Sequence, residues 1–346
     1  MAHKKKQTVW FIALFIFASI AAAACFCAYR ICIPLESQSG TKAHTEYRII
    51  VPSGATLRTV ARDLKKNGII SSPDFFYFYG CIKGVFLKAG IYKVNAGMSI
   101  PEICAVLESG KQEYIAVSLS EGLTIRKIAE ILEKNGITSA DDFIKAASSR
   151  ALLSEFGIPA DSFEGYLFPD TYNLDYGMSP ERVVRILAST FFEKIKKLEA
   201  LNGKSARELH DTVILASIVE REYRLEEEAP LIASVFTNRL KRNIGLYSCA
   251  TLVYVLTEIE GRAHPDVVKI EDTKIDNPYN TYKWAGLPPG PISNPGLTAL
   301  KAAASPPQTK YYYFRLTDAE RGRHVFSETF DGHKEAAPVV TKRAAH

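Results

Sequence analysis

The sequence predicts an α+β protein built as an N-terminal transmembrane helix, two small α+β modules in tandem, and a mainly helical domain with a long loop and a C-terminal β-hairpin. Three observations carry that prediction. An uncharged apolar stretch runs from Thr8 to Tyr29 behind a lysine cluster, residues 52–75 recur without gaps at 120–143, and from Lys204 onward apolar residues recur at helical spacing. The 346-residue chain, 47% hydrophobic and 11% aromatic, has the apolar content for two or three packed domains. Its 43 Lys and Arg against 38 Asp and Glu leave a net charge of +5, too weak for a nucleic-acid footprint.

The first element is the apolar stretch. It is long enough for a bilayer crossing of roughly 20 residues, whereas the apolar core of a cleavable signal spans only about 7–15. This favours an uncleaved anchor over 8–30, with 1–7 as a cytoplasmic tail and 31–46 as a polar linker. The competing details are Ala21 to Ala24, which could host a signal peptidase, and Cys25, a poor lipoprotein site. Lys4, Lys5 and Lys6 stay in the cytoplasm by the positive-inside rule. The expected location is therefore the cytoplasmic (inner) membrane, single-pass, with the functional part extracytoplasmic or periplasmic.

The repeat defines the next two elements. "PSGATLRTVARDLKKNGIISSPDF" and "SEGLTIRKIAEILEKNGITSADDF" each open on a turn glycine, Gly54 or Gly122. Each continues as a helix, with apolar faces Leu57/Val60/Ala61/Leu64 and Ile125/Ile128/Ala129/Leu132, and leaves it through Asn-Gly. "YKVNAGMS" and "YNLDYGMS" then supply a Tyr-led strand and the cap of a closing helix. The modules are expected over 47–112 and 113–203. Such a module resembles the LysM-type fold, whose usual ligand is the amino-sugar chain of peptidoglycan. The alternative is that the pair only spaces and orients a distal domain.

The last element, 204–335, is expected to carry helices near 206–223, 227–242 and 250–260, then a loop over 263–295. Asn294 is expected to cap a helix over 295–304, and "KYYYFRL" with "GRHVFSE" to form the hairpin. Residues 336–346 read as a polar tail. A loop of that length in a compact domain is usually functional. Six cysteines are too few for a disulfide scaffold; of the three outside the membrane segment, Cys81, Cys104 and Cys249, Cys104 reads as a buried thiol, and a Cys81–Cys104 bridge has no support in the pattern. The seven scattered histidines show no metal-ligand spacing, so no metal is expected.

"LASIVEREYR" (215–224) carries the most pointed chemistry, because a core helix ends there in charge. On a continuous helix Glu220 and Glu222 lie about 200° apart and face different ways. Glu220 would share a face with Val213, Ala216 and Ser217, small enough to let a ligand approach. A surface ion-pair cluster with Arg221 and Arg224 explains the same residues.

Several ordered motifs, "FEGYLFPDTY", "ILASIVEREY", "VFTNRL", "YNTYKWAGLPPGPISNPG", "YYYFRL" and "GRHVFSETFDGH", together resemble the endolytic murein transglycosylases, the YceG-like family. The likeness runs over nearly the whole chain after the linker. It implies that Glu220, in "SIVE", is the catalytic acid of a lytic transglycosylase. A raised pKa would let it protonate the leaving glycosidic oxygen. Once deprotonated, it would accept the proton of the muramic C6 hydroxyl as that oxygen attacks C1, leaving a 1,6-anhydro end. A hydrolase would need a second carboxylate, and no recognisable motif supplies one.

The resemblance also places Asn238, Ser248, Thr251, Tyr279, Asn280, Tyr282 and His324 around the cleft as substrate-binding residues. Asn280 fixing loop backbone and His324 as a structural histidine are the plain alternatives. Where the family usually reads Gln-Ser/Thr-Asp-Pro-Thr, this chain has "YSCAT", with Tyr247, Cys249 and Ala250 in place of Gln, Asp and Pro. That departure, with the paired modules, leaves open a glycan-binding scaffold without activity, and a muramidase-type hydrolase using Glu220 with another acid is a separate alternative. The implied partners are peptidoglycan glycan strands, the membrane and cell-wall synthesis enzymes, with no cofactor.

Overall fold

The computed structural model describes residues 2–35, 46–52, 54–110, 113–318 and 320–336. The linker expected over 31–46 falls largely outside the described residues, and the polar tail almost wholly. By its contacts the chain divides into two compact units, Met1–Ile115 with Leu174–Gly177, and Ala116–Asn173 with Met178–His346.

The first unit begins with α1 (Ala2–Cys32). Its segment Leu14–Cys32, of mean hydropathy 1.9, is the one stretch among the described residues long and apolar enough to cross a membrane. Then follow β1 (Tyr47–Val51), α2 (Leu57–Lys66), α3 (Pro73–Lys83), β2 (Gly90–Val94) and α4 (Ile100–Ser109). β1 and β2 pair antiparallel with Ile49 opposite Tyr92, and the alternation buries Ile49, Val51, Tyr92 and Val94 on one face. Thr56 caps α2 and Ser99 caps α4, each in a reciprocal capping box. Val60, Ala61 and Leu64 of α2 meet Ile103, Cys104 and Leu107 of α4 in the core. No helical stripe in the sequence marks α3, because "PDFFYFYGCIK" carries aromatic residues on every face. All six cysteines are free, so Cys81 and Cys104 are not bridged; burial pushes the Cys104 thiol up to about 12.

The strands β3 (Tyr114–Ser118) and β4 (Thr171–Asp175), which pair with each other, each run across the boundary into the second unit. Between them lie α5 (Ile125–Lys134), α6 (Ala140–Ala147) and α7 (Arg150–Glu155). The expected face of α5, Ile125, Ile128, Ala129 and Leu132, is buried throughout. After α8 (Pro180–Ile195) the chain forms α9 (Ala206–Glu220), α10 (Ala229–Lys241) and α11 (Cys249–Tyr254), which runs on into a π turn at Val255–Ile259. Residues Glu260 to Gly296 are irregular except for a 3-10 turn at Asp272–Lys274. The chain ends with α12 (Leu297–Ala304), the antiparallel pair β5 (Tyr313–Asp318) and β6 (Arg323–Ser327), and α13 (Phe330–Glu335).

Helix α9 is the axis of this unit. It is buried on every face from Thr212 to Val219, the mark of a helix enclosed by its neighbours. Each Ile or Val fully buried there contributes about 1.5–3 kcal/mol relative to exposure. α10 and α12 pack against it.

Candidate active site

α9 starts cleanly and stops early. Ser205 and Glu208 form a capping box at its N-terminus, and Glu220 is its last residue. The N–H groups of Glu222 and Tyr223 both turn back to the Val219 carbonyl. The helix predicted to reach 223 therefore ends before Glu222, and the angular separation drawn for a continuous helix does not apply. Glu222 leaves in the turn, and its carboxylate accepts from the Ser248 hydroxyl and the Ala250 N–H.

The small residues of α9 also have a different role from the one expected. Ala216 and Ser217 are fully buried, and they admit protein rather than ligand. Ser217 Oγ accepts from the Ile292 N–H at 3.0 Å, and Ser293 Oγ donates to the Ser217 carbonyl at 3.1 Å. Pro291 and Val213 press so closely on Gly165 (φ +87°) that a Cβ there would lie 2.7 Å from each.

The segment after Ile292 meets the turn between β3 and α5. Gly122 N–H donates to the Asn294 carbonyl at 2.9 Å, and Asn294 N–H donates to the Leu123 carbonyl at 2.8 Å. The Asn294 side chain donates to Leu123 O and Glu164 Oε1 and accepts from the Leu167 N–H. Asn294 is thus not a helix cap: its side chain is spent on this junction. The cap of α12 is Gly296, whose N–H donates to Glu220 Oε2 at 2.9 Å.

Gly296 brings a second acid to Glu220. A Cβ on Gly296 would stand 1.8 Å from Glu121 Oε1, so the Glu121 side chain lies directly over this residue. On the other flank Arg221 Nη1 donates to the Gly122 carbonyl at 3.2 Å, and a Cβ on Gly122 would lie 3.6 Å from Glu220 Cγ. Tyr223 Oη donates to Glu220 Oε1 at 3.2 Å. Glu121 escaped the motif reading, although the repeat held a trace of it: Ser53 of the first copy aligns with Glu121 of the second.

Burial pushes Glu220 up to about 7; the Gly296 N–H opposes this, the neighbouring Glu121 charge adds to it, and Tyr223 and Arg221 act weakly downward. A carboxylate at a helix C-terminus also faces the negative end of that helix. Glu121 is raised too, by desolvation and then by Glu226. Glu222 is raised by burial, against the Ser248 hydroxyl and Arg239. A half-buried carboxyl that keeps its proton near neutrality can serve as a general acid.

Most other sequence-predicted residues hold the scaffold. Asn238 Nδ2 donates to the carbonyls of Thr309 and Tyr311, and Thr251 bonds Ser248 and Thr281. Asn280 is fully buried, donating to the Thr273 and Ile275 carbonyls and accepting from the Tyr282 N–H. His324 Nδ1 lies 2.6 Å from Glu228 Oε2, and both side chains are nearly enclosed. The ring of Tyr279 lies tilted by 36° against that of Tyr254, with centroids 5.1 Å apart.

Ser248 donates to the Glu222 carboxylate, and Tyr282 lies against the next residue, Cys249. Tyr282 Oη is 3.0 Å from Cys249 Sγ, and its ring meets exposed Tyr247 at 5.6 Å. Tyr247 holds a left-handed backbone (φ +50°), an uncommon state for a bulky residue. A cavity of about 320 Å³ adjoins the junction and is lined by Gly122, Arg126, Arg221, Tyr254, Glu258 and Ile292.

Comparison with known proteins adds context. The YceG-like family matches residues 49–338. The endolytic murein transglycosylase of Bacillus subtilis (strain 168) is 31% identical over 320 residues, covering 88% of this chain and 86% of that protein. That of Streptococcus pneumoniae (serotype 2, strain D39) is 27% identical over 315 residues, 82% of this chain; the match spans 56% of that longer protein. The crystal structure of a yceG-like protein from Listeria monocytogenes aligns with a TM-score of 0.57 at 27% identity, covering 85% of this chain and 99% of that one.

Proposed function

The chain belongs to the YceG-like family, and from that premise we propose that it is a peptidoglycan lytic transglycosylase whose general acid is Glu220. The observation that carries the assignment is the half-buried Glu220 carboxyl, pushed up to about 7 and fixed by the Gly296 N–H. Oε2 accepts from the Gly296 N–H, which leaves Oε1, the oxygen that Tyr223 Oη also reaches at 3.2 Å, to carry the acidic proton toward the substrate in this reading. The proton passes to the glycosidic oxygen as the bond to muramic C1 breaks. The same carboxylate then accepts the C6 hydroxyl proton while the C6 oxygen bonds to C1. The new reducing-side end is a 1,6-anhydro sugar, and no water is consumed.

The apolar length of α1 supports a single-pass anchor in the cytoplasmic membrane, with the second unit outside it. An anchored domain would act on nascent strands close to the membrane. Asn238, Thr251, Tyr279 and Asn280 fix the walls of the cleft, and Tyr247 and Tyr282 offer aromatic faces to sugar rings.

One observation favours a second reading. Glu121 beside Glu220 is the extra carboxylate that a muramidase-type hydrolase uses. Mass spectrometry of the products from polymeric peptidoglycan separates the two. The transglycosylase gives ends lighter by one water than hydrolytic ends; ordinary reducing ends identify the hydrolase.

A further inference from the structure

We propose that Glu121 is a positioning residue acting through Glu220: its carboxylate, seated over Gly296, is the fixed negative neighbour that makes Glu220 hold its proton until a glycosidic oxygen takes it. This rests on reading Glu220 as the acid.

The geometry makes Gly296 the hinge of the pair. Its N–H holds Glu220 Oε2 at 2.9 Å, while its missing side chain leaves the space that the Glu121 carboxylate fills. Any larger residue at 296 would meet Glu121 Oε1 at 1.8 Å. The backbone of Glu121 is fixed as well, because Gly122 is bonded to both Asn294 and Arg221. Two carboxyls held at one residue cannot ionise independently: the first loses its proton readily and the second retains it. Exposed Glu121 has water to stabilise its charge, whereas half-buried Glu220 has less, so Glu121 ionises first.

The remaining charged and titratable groups around the pair are few. Arg221 and Tyr223 stand beside Glu220, and Glu226 acts on Glu121. Tyr223 is pushed further above its ordinary range, so it does not change charge near neutrality. Glu121 is thus the neighbour whose removal alters the proton affinity of Glu220 most directly. It forms no bond to the sugar in this role.

The test is the pH profile of kcat/KM for the detergent-solubilised full chain on polymeric peptidoglycan. Glu121→Gln removes the charge and keeps the shape. The alkaline limb is expected to move down by about one pH unit, so that activity above it falls roughly tenfold while the acid plateau changes less than about twofold. Gly296→Ala is expected to reproduce the shift with Glu121 intact. Its Cβ meets the Glu121 side chain from Cγ outward and displaces it, and the backbone there (φ −79°) suits any residue. Glu121→Asp should fall between the two profiles.

An unmoved limb in both variants overturns the proposal. So does loss of activity at every pH in a folded Glu121→Gln protein; ordinary reducing ends in the wild-type digest would then assign Glu121 as the base that activates water. If Glu121→Gln fails to fold, Gly296→Ala decides alone. Retained cleavage by Glu220→Gln would instead defeat the underlying assignment of the acid.

Discussion

The backbone N–H of Gly296 donates to Glu220 Oε2 at 2.9 Å, joining the N-terminal cap of one helix to the last residue of another. The two helix ends pull Glu220 in opposite directions. The end of α9 and partial burial favour the neutral acid, while the start of α12 favours the carboxylate. Burial prevails, and the group settles near neutrality at about 7. That balance suits a group that must give a proton and then take one back.

Glu220→Gln keeps the acceptor for Gly296 but has no proton to deliver. Cleavage is expected to fall by about a thousandfold or more, with thermal stability nearly unchanged. Glu222→Gln should keep most activity, since one amide oxygen still accepts from Ser248 or Ala250 N–H; its expected cost is about 1 kcal/mol. Turnover assays and denaturant titrations of both variants check this, and the reverse ranking would transfer the acid role to Glu222.

Stability should fall as pH rises between 6.5 and 8. Burial raises Glu220 to about 7 and Glu164 to about 8, so the folded chain holds these protons where the unfolded chain, near 4.5, has released them. Their contribution is full below the unfolded value and is lost as pH passes through the folded values. His210, lowered by burial from 6.5, changes stability in the opposite sense only below that window. Melting temperatures measured across the window should decline, and Glu164→Gln should flatten the decline. A flat wild-type profile would contradict the burial of both carboxyls.

What the sequence made legible was local. The faces of α2 and α5, the Asn-Gly exits and the cap at Ser99 follow from patterns only a few residues long, and each is in place, whereas Ser179, read the same way, precedes α8 without a side-chain cap bond. The role of Glu121 was not legible, because its contact with Gly296 joins residues far apart in sequence through a loop with no periodicity. The function of Ser217 was misread for the same reason: a small residue beside an acid suits a ligand or a neighbouring chain segment equally, and only the position of Ile292 decides. Asn294 has the residue type of a cap, but three long-range partners claim its side chain.

The segment from Thr8 to Tyr29 is expected to remain in the mature protein. α1 is continuous from Ala2 to Cys32, and its apolar part is longer than a cleavable signal uses. Intact-mass measurement of protein extracted from membranes should give the full chain. A mature N-terminus at Cys25 or beyond would remove the anchor.

Asn294 is where the turn before α5, the buried Glu164 and the approach to Gly296 are tied together, so its loss should affect stability and rate together. Asn294→Ala strands the Leu167 N–H, which now bonds Oδ1 at 2.8 Å, and deprives the Leu123 carbonyl and Glu164 of a donor. Each stranded buried group costs about 1–3 kcal/mol, and because the Leu123 carbonyl keeps the Asn294 backbone N–H, a total of about 3 kcal/mol is expected. Asn294→Asp should be worse despite its matching shape. It keeps the acceptor for Leu167 but turns an oxygen toward the Leu123 carbonyl and the Glu164 carboxyl, where a donor is needed. Denaturant unfolding ranks the two variants. Among molecules that remain folded, displacement of Gly296 should loosen both Glu220 and Glu121, so kcat should fall more than KM rises. An Asn294→Asp protein as stable and active as wild type would mean that this junction does not hold the acid in place.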